Sequence, residues 1–206
     1  MVIDLPGAAA PALCVFCGAK PGDDPRWMPI ARGFGAAVAA RGWVLVFGGG
    51  RVGLMGALAD GALEAGGRVV GVIPRSLMTR EVAHPGLTRL EVVEDMAVRK
   101  TRMIELSDAF ATLPGGLGTL DELFEVLTLR QIGEHAKPIG LLDQDGYWQP
   151  LLRACASMVE AGFVHPRDLG ALVSRTESES LLDAIRDALP GPILEGLRGA
   201  PAAGAS

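Results

Sequence analysis

Short apolar runs that end in glycine and open at once into helical patterns constrain this chain more than any other feature. The fullest example is Ala109 to Arg130, AFATLPGGLGTLDELFEVLTLR. A short apolar run with one β-branched residue (Ala109 to Leu113) meets a proline and two glycines. Gly118-Thr119 then begins a helical pattern with Leu120, Phe124 and Leu127 on one stripe. The first N–H groups of a helix have no internal partner and lie at the positive end of its dipole, so such a turn is a seat for phosphate. Glycines at 115, 116 and 118 let the backbone approach the anion closely.

The same unit recurs along the chain. Strands are expected at Ala12–Cys17, Trp43–Phe47, Arg68–Ile73, Thr88–Val93, Ala109–Leu113, Pro138–Leu142 and, briefly, Leu169–Val173. Between them lie helical patterns: one capped by Asp24 with Pro25 at its first position and stopped by Gly42, then Leu54–Ala65, a helix capped by Asp95 and running to Leu106, the Thr119 helix, Gly146–Ala161 and Ser178–Leu189. Strand and helix in alternation, with short turns, specify parallel β-α-β units and a doubly wound α/β sheet with helices on both faces. Ligands of such sheets bind at the carboxyl ends of the strands, where the glycine turns after the first, second and fifth strands fall.

Composition agrees with buried parallel strands. The 206 residues are 49% hydrophobic but only 5% aromatic, so the core is built from Ala, Val, Leu and Ile. That length suits one domain, expected at 12–189, with loose ends at 1–11 and 190–206 that are rich in Pro, Gly and Ala. A net charge of -5 argues against nucleic acid as a partner. The N-terminus lacks a signal-peptide pattern and no segment has the length to span a bilayer, which together predict a cytoplasmic protein without a membrane partner. Three cysteines do not make a disulfide framework, and Cys14-x-x-Cys17 falls on a strand and its end, so both are expected as buried strand cysteines.

Gly48, Gly50 and Gly53 spell G-x-G-x-x-G, but no acidic residue ends the following strand at Gly71-Val72-Ile73-Pro74 to hold a ribose diol. A close turn lining a mononucleotide pocket is the expected reading. In DMAVRKTRMIEL, Met96, Arg99 and Met103 share a helix face, and the negative cluster Asp121, Glu122 and Glu125 calls for a cation beside any anionic ligand; Arg99 is assigned to that place. Thr119 as N-cap with Glu122 three residues on also spells a capping box, a role that fits the same geometry as a catalytic one. His84, His135 and His165 lack ligand spacing, and no metal is expected.

The run PGGLGTLDE (Pro114 to Glu122) resembles the P-G-G-x-G-T-x-x-E signature of the LOG family, the cytokinin riboside 5′-monophosphate phosphoribohydrolases, long mislabelled as lysine decarboxylases. MAVRK (Met96 to Lys100) is similar to the companion Arg-Lys motif. FCG at Phe16, GGGRVGLMG, GVIP, SDAF, QIGEHAKPIGLL and DGYW follow in family order, over roughly Cys14 to Phe163. The resemblance implies a Rossmann-like homodimer without cofactor. It would cleave the N-glycosidic bond of a nucleoside 5′-monophosphate, releasing adenine or an N6-substituted adenine and ribose 5-phosphate.

By motif position the resemblance makes Arg99 and Glu122 the catalytic pair. Gly18, Gly49, Gly50, Met96, Lys100, Pro114, Gly115, Gly116, Gly118 and Thr119 join them in binding substrate. Three positions depart from the family: Ala19 stands where many relatives have serine, Leu129 where tryptophan is common, and Asp121 replaces glutamate. The only lysines are Lys20, Lys100 and Lys137, none in a recognisable pyridoxal-phosphate setting, which leaves a non-catalytic nucleotide carrier of the same fold as the alternative.

Overall fold

The computed structural model describes residues 10–78 and 82–191, so the expected loose ends lie largely outside the described residues, as does part of the irregular segment before the fourth strand. The first strand, β1 (Ala12–Phe16), runs between β2 (Val44–Phe47) and β5 (Ala109–Thr112). Outward from β2 come β3 (Arg68–Pro74) and β4 (Arg89–Val93); outward from β5 come β6 (Ile139–Leu142) and β7 (Leu172–Arg175). All pairs are parallel, in the order β4-β3-β2-β1-β5-β6-β7. The expected doubly wound, Rossmann-like sheet is therefore present. Its order reverses between β1 and β5, which opens a crevice at their carboxyl ends.

Side-chain alternation along the strands splits the core in two. Leu13, Val15 and Cys17 face α1 (Trp27–Ala40), α2 (Gly53–Glu64) and α7 (Ser178–Asp187), while Cys14 and Phe16 face α3 (Met96–Glu105), α4 (Leu117–Gln131) and the Trp148 end of α5 (Gln149–Glu160). The two cysteines of C-x-x-C are thus on opposite faces of the sheet. Both are buried and free, as expected of strand cysteines, and burial pushes both thiols well above their ordinary range.

Several boundaries differ from expectation for identifiable reasons. The first helix begins at Trp27, not Pro25: the Asp24 carboxylate accepts the Arg26 N–H at 2.9 Å and its carbonyl accepts the Trp27 N–H, which makes a turn ahead of the helix. The seventh strand lies three residues later than expected, because Pro166–Leu169 closes a short helix (α6) whose start is held by the His165 ring accepting from the Arg167 N–H. α5 starts at Gln149 after a 3₁₀ turn over Gln144–Gly146. On α4 the buried face is Thr119, Leu123 and Val126, with Leu120 and Leu127 at its margins, so the stripe is turned from the expected Leu120-Phe124-Leu127 row. Gly42 does end the first helix, at φ 70°, and Asp95 caps α3 by accepting the Val98 N–H at 2.9 Å.

Candidate active site

Three glycine turns meet at the switch point. The Gly18 N–H donates to the Pro114 carbonyl at 3.1 Å, and the Gly18 carbonyl accepts the Leu54 N–H at 3.0 Å, which joins the ends of β1 and β5 to the start of α2. Gly115 lies directly against this junction. A Cβ there would come 2.1 Å from the Thr119 hydroxyl oxygen and 2.9 Å from the Gly18 nitrogen, so only glycine fits.

The signature helix α4 starts earlier than its sequence suggests. Gly116 is the N-cap and the first helical bond runs from the Leu120 N–H to the Gly116 carbonyl at 3.0 Å. Thr119 is therefore inside the first turn, and the N-cap residue, a glycine, brings no side chain to the helix start. Thr119 is thus not the N-cap that the expected capping box requires, because the Gly-Gly turn already bends the chain into the helix three residues sooner. The N–H groups of Leu117, Gly118 and Thr119 precede the first intrahelical bond, the position at which helix N–H groups serve as anion donors.

Arg99 reaches the same place from α3. Its side chain is buried, its Nε donating to the Val72 carbonyl at 3.1 Å and its Nη2 to the Gly48 carbonyl at 2.9 Å, with Nη1 3.6 Å from the Met96 sulfur. These carbonyls end β3 and β2. Two strand ends thus fix the plane of the guanidinium at the mouth of the crevice. A Cβ on residue 48 would fall 1.8 Å from Nη2, so Gly48 is small because the arginine lies on it.

A cavity of about 800 Å³ opens above these turns. Of the expected site residues, Arg99, Glu122 and Met96 line it, as do Gly18, Pro114, Gly115, Gly116, Gly118 and Thr119. Glu122 and Arg99 also act on a common neighbour: the Cys17 thiol in the cavity wall is pushed up first by burial and then by Glu122, with Arg99 opposing.

Three expected residues lie elsewhere. Gly49 accepts the His84 N–H at 3.0 Å and Gly50 bridges to Ala83, so both shape the loop behind the cavity, and Gly48 takes the lining position. Lys100 turns to α4, 3.1 Å from Asp121 and 3.0 Å from Glu125. Burial lowers its affinity for a proton, but the bonds to Glu125 and Asp121 outweigh this and its pKa is raised. The cation expected to offset the carboxylate cluster is therefore Lys100 for two of its members, while Arg102 pairs with Glu91 and Glu105. Among the departures from the family, Ala19 lines the cavity and Leu129 does not.

Sequence reasoning missed the aromatic rim. Trp27 and Tyr147 line the cavity in edge contact, ring centres 5.4 Å apart, and Met55 and Leu77 line it from α2 and from the turn after β3. The DGYW segment was visible in the sequence, but nothing local indicated that it crosses from the end of β6 to the turn after β5. Among the described residues no group of three or more His, Cys, Asp or Glu side chains is placed to hold a metal ion, and no helix is long and apolar enough to cross a membrane.

Comparison with known proteins places this geometry. Residues 55–185 match the sequence model of a family described as possible lysine decarboxylase. A cytokinin riboside 5′-monophosphate phosphoribohydrolase of Rhodococcoides fascians is 47% identical over 176 residues, 85% of this chain and 89% of the relative. A relative with that activity in its name, from Arabidopsis thaliana, is 40% identical over 86% of this chain and 84% of its own length. Among solved structures, the molybdenum cofactor binding protein of Rippkaea orientalis has a TM-score of 0.65 at 24% identity over 87% of this chain and 97% of its own, a likeness of fold alone. The signature helix and the companion arginine meet in one cavity, and the sequence identity spans most of both chains: this protein belongs to the LOG family, that of the cytokinin riboside 5′-monophosphate phosphoribohydrolases.

Proposed function

We propose that this chain hydrolyses the N-glycosidic bond of a purine nucleoside 5′-monophosphate, with adenine or an N6-substituted adenine as the base, to give free base and ribose 5-phosphate. The observation that supports this most is the convergence of Arg99, Glu122 and the N-terminal turn of α4 on one cavity. The N–H groups of Leu117 to Thr119 hold the 5′-phosphate, which ties the ribose to the protein and places C1′ within reach of side chains one turn further along α4. Glu122 stands one turn beyond the anion donors.

The base departs with the electron pair of the glycosidic bond and takes up a proton, and C1′ passes through an oxocarbenium-like state. Glu122 offsets that charge and accepts the proton of the attacking water, whose oxygen bonds to C1′. Arg99, fixed by the Gly48 and Val72 carbonyls, secures the nucleotide and orients the reacting centre. Met55, Met96 and Leu77 supply adaptable apolar contact for a base, and Met thioethers suit variable substituents.

We also propose a cytoplasmic homodimer that acts on free nucleotides and uses neither nucleic acid nor membrane. The exposed apolar side chains Leu90 and Val92 on the edge strand β4, and Met96 and Val98 on α3, support a protein partner at that edge of the sheet. Incubation with AMP and with isopentenyladenosine monophosphate, followed by chromatography, is expected to release free base. Binding of AMP without release of base from any purine monophosphate would overturn the hydrolase reading in favour of a nucleotide carrier, and a monomeric mass in sedimentation would overturn the dimer.

A further inference from the structure

The loop between β6 and α5 crosses the crevice and touches the signature turn through one hydroxyl. Tyr147 donates from its phenol to the Gly115 carbonyl at 2.6 Å. The loop that brings it there is held at both ends. The buried Asp143 carboxylate accepts the Trp148 N–H at 2.6 Å, and the Asp143 N–H donates to the Arg175 carbonyl at 2.8 Å. Between these anchors Asp145 and Gly146 adopt left-handed backbone, φ 52° and 76°, which glycine takes freely and which the surrounding contacts hold at Asp145. The ring of Tyr147 then stands edge-on to Trp27 (73° between planes), and Arg26 pairs with Asp145 at 2.6 Å, so the first glycine loop braces the far side.

The acceptor is what gives this contact its meaning. A trans peptide is planar, so fixing the direction of the Gly115 carbonyl fixes the direction of the Gly116 N–H on the same plane. Gly116 is the N-cap of α4, and both its neighbours are glycines or precede one, so the turn has little stiffness of its own. We propose that Tyr147 is a positioning residue: its hydroxyl locks the Gly115-Gly116 peptide and thereby sets the affinity of the signature turn for the 5′-phosphate. This rests on the reading of that turn as the phosphate seat.

The test compares wild type with Tyr147→Phe, which keeps the ring and its contact with Trp27 and removes only the donor. Titration calorimetry with ribose 5-phosphate, which has no bond to hydrolyse, reports the phosphate seat; titration with adenine reports the rest of the cavity. The variant is expected to bind ribose 5-phosphate roughly three- to tenfold more weakly, the size of one modest hydrogen bond, with adenine binding and thermal midpoint unchanged. Equal affinity for ribose 5-phosphate in the two proteins, or a parallel loss for both probes, overturns the positioning role. Wild type that binds adenine but not ribose 5-phosphate overturns the phosphate seat itself, and this result is distinct from a failure of the Tyr147 variant.

Discussion

Arg99 Nη2 lies 2.9 Å from the carbonyl oxygen of Gly48, and the space a side chain at 48 would occupy is already taken by that nitrogen. One residue therefore both binds the arginine and leaves room for it. The relationship links the glycine turn after β2 to a motif about fifty residues later, and it accounts for the first glycine of a G-x-G-x-x-G run without a dinucleotide.

Gly48→Ala is expected to displace the guanidinium and not the fold. Overpacking costs about 1–3 kcal/mol of stability, read as a lower thermal midpoint, and base release from AMP should fall by roughly 100-fold or more because a small misplacement in a site is costly. An alanine variant with full activity would show that the arginine position is immaterial.

Glu122→Gln separates the chemical from the structural role of the carboxylate. Glutamine keeps the length of the side chain and one acceptor oxygen, so the substitution is expected to leave the thermal midpoint and ribose 5-phosphate binding near wild type. Turnover should fall about 10²- to 10⁴-fold, the usual range for a general base. Unchanged turnover would remove Glu122 from the mechanism.

Arg99→Lys tests the fork. A lysine has a single donor head and cannot meet the Gly48 and Val72 carbonyls in one plane, so a buried acceptor is left unpaired at a cost of about 1–3 kcal/mol. Activity is expected to be lost along with stability, and a thermal melt beside the base-release assay reads both.

Lys100→Ala gives the opposite outcome. Lys100 itself does not line the cavity and pairs with Asp121, at the cavity wall, and with Glu125, and partly exposed pairs contribute about 0–1 kcal/mol. The variant should retain activity within severalfold of wild type, whereas a loss as large as that of Arg99→Lys would return Lys100 to the substrate site.

Glu91 governs part of the acid response. Its hydrogen bond from Arg102 holds the Glu91 carboxyl below the usual glutamate range. A depressed folded-state pKa contributes stability that is present above the unfolded value of about 4.3 and is lost as pH falls through the folded value. Glu91→Gln is therefore expected to flatten the dependence of thermal midpoint on pH between about 5 and 3, with base release at neutral pH unchanged.

Local chemistry determined a great deal of this protein. Apolar runs, glycine turns and helical periods placed six of the seven strands, set the seventh three residues early, and gave the doubly wound class, since period and turn residues depend on neighbours in the chain, and two motifs marked Arg99 and Glu122. Tertiary structure decided what local pattern could not. Thr119 spelled a cap, yet the Gly115-Gly116 bend begins the helix earlier. Lys100 and Arg99 are adjacent in sequence, yet a helix turns adjacent side chains about 100° apart, so one enters the cavity and the other faces the carboxylates of α4. Tyr147 and Trp27 reach the rim only because β5 lies between β1 and β6 in the sheet, a proximity set by strand order and recorded in no single stretch of sequence.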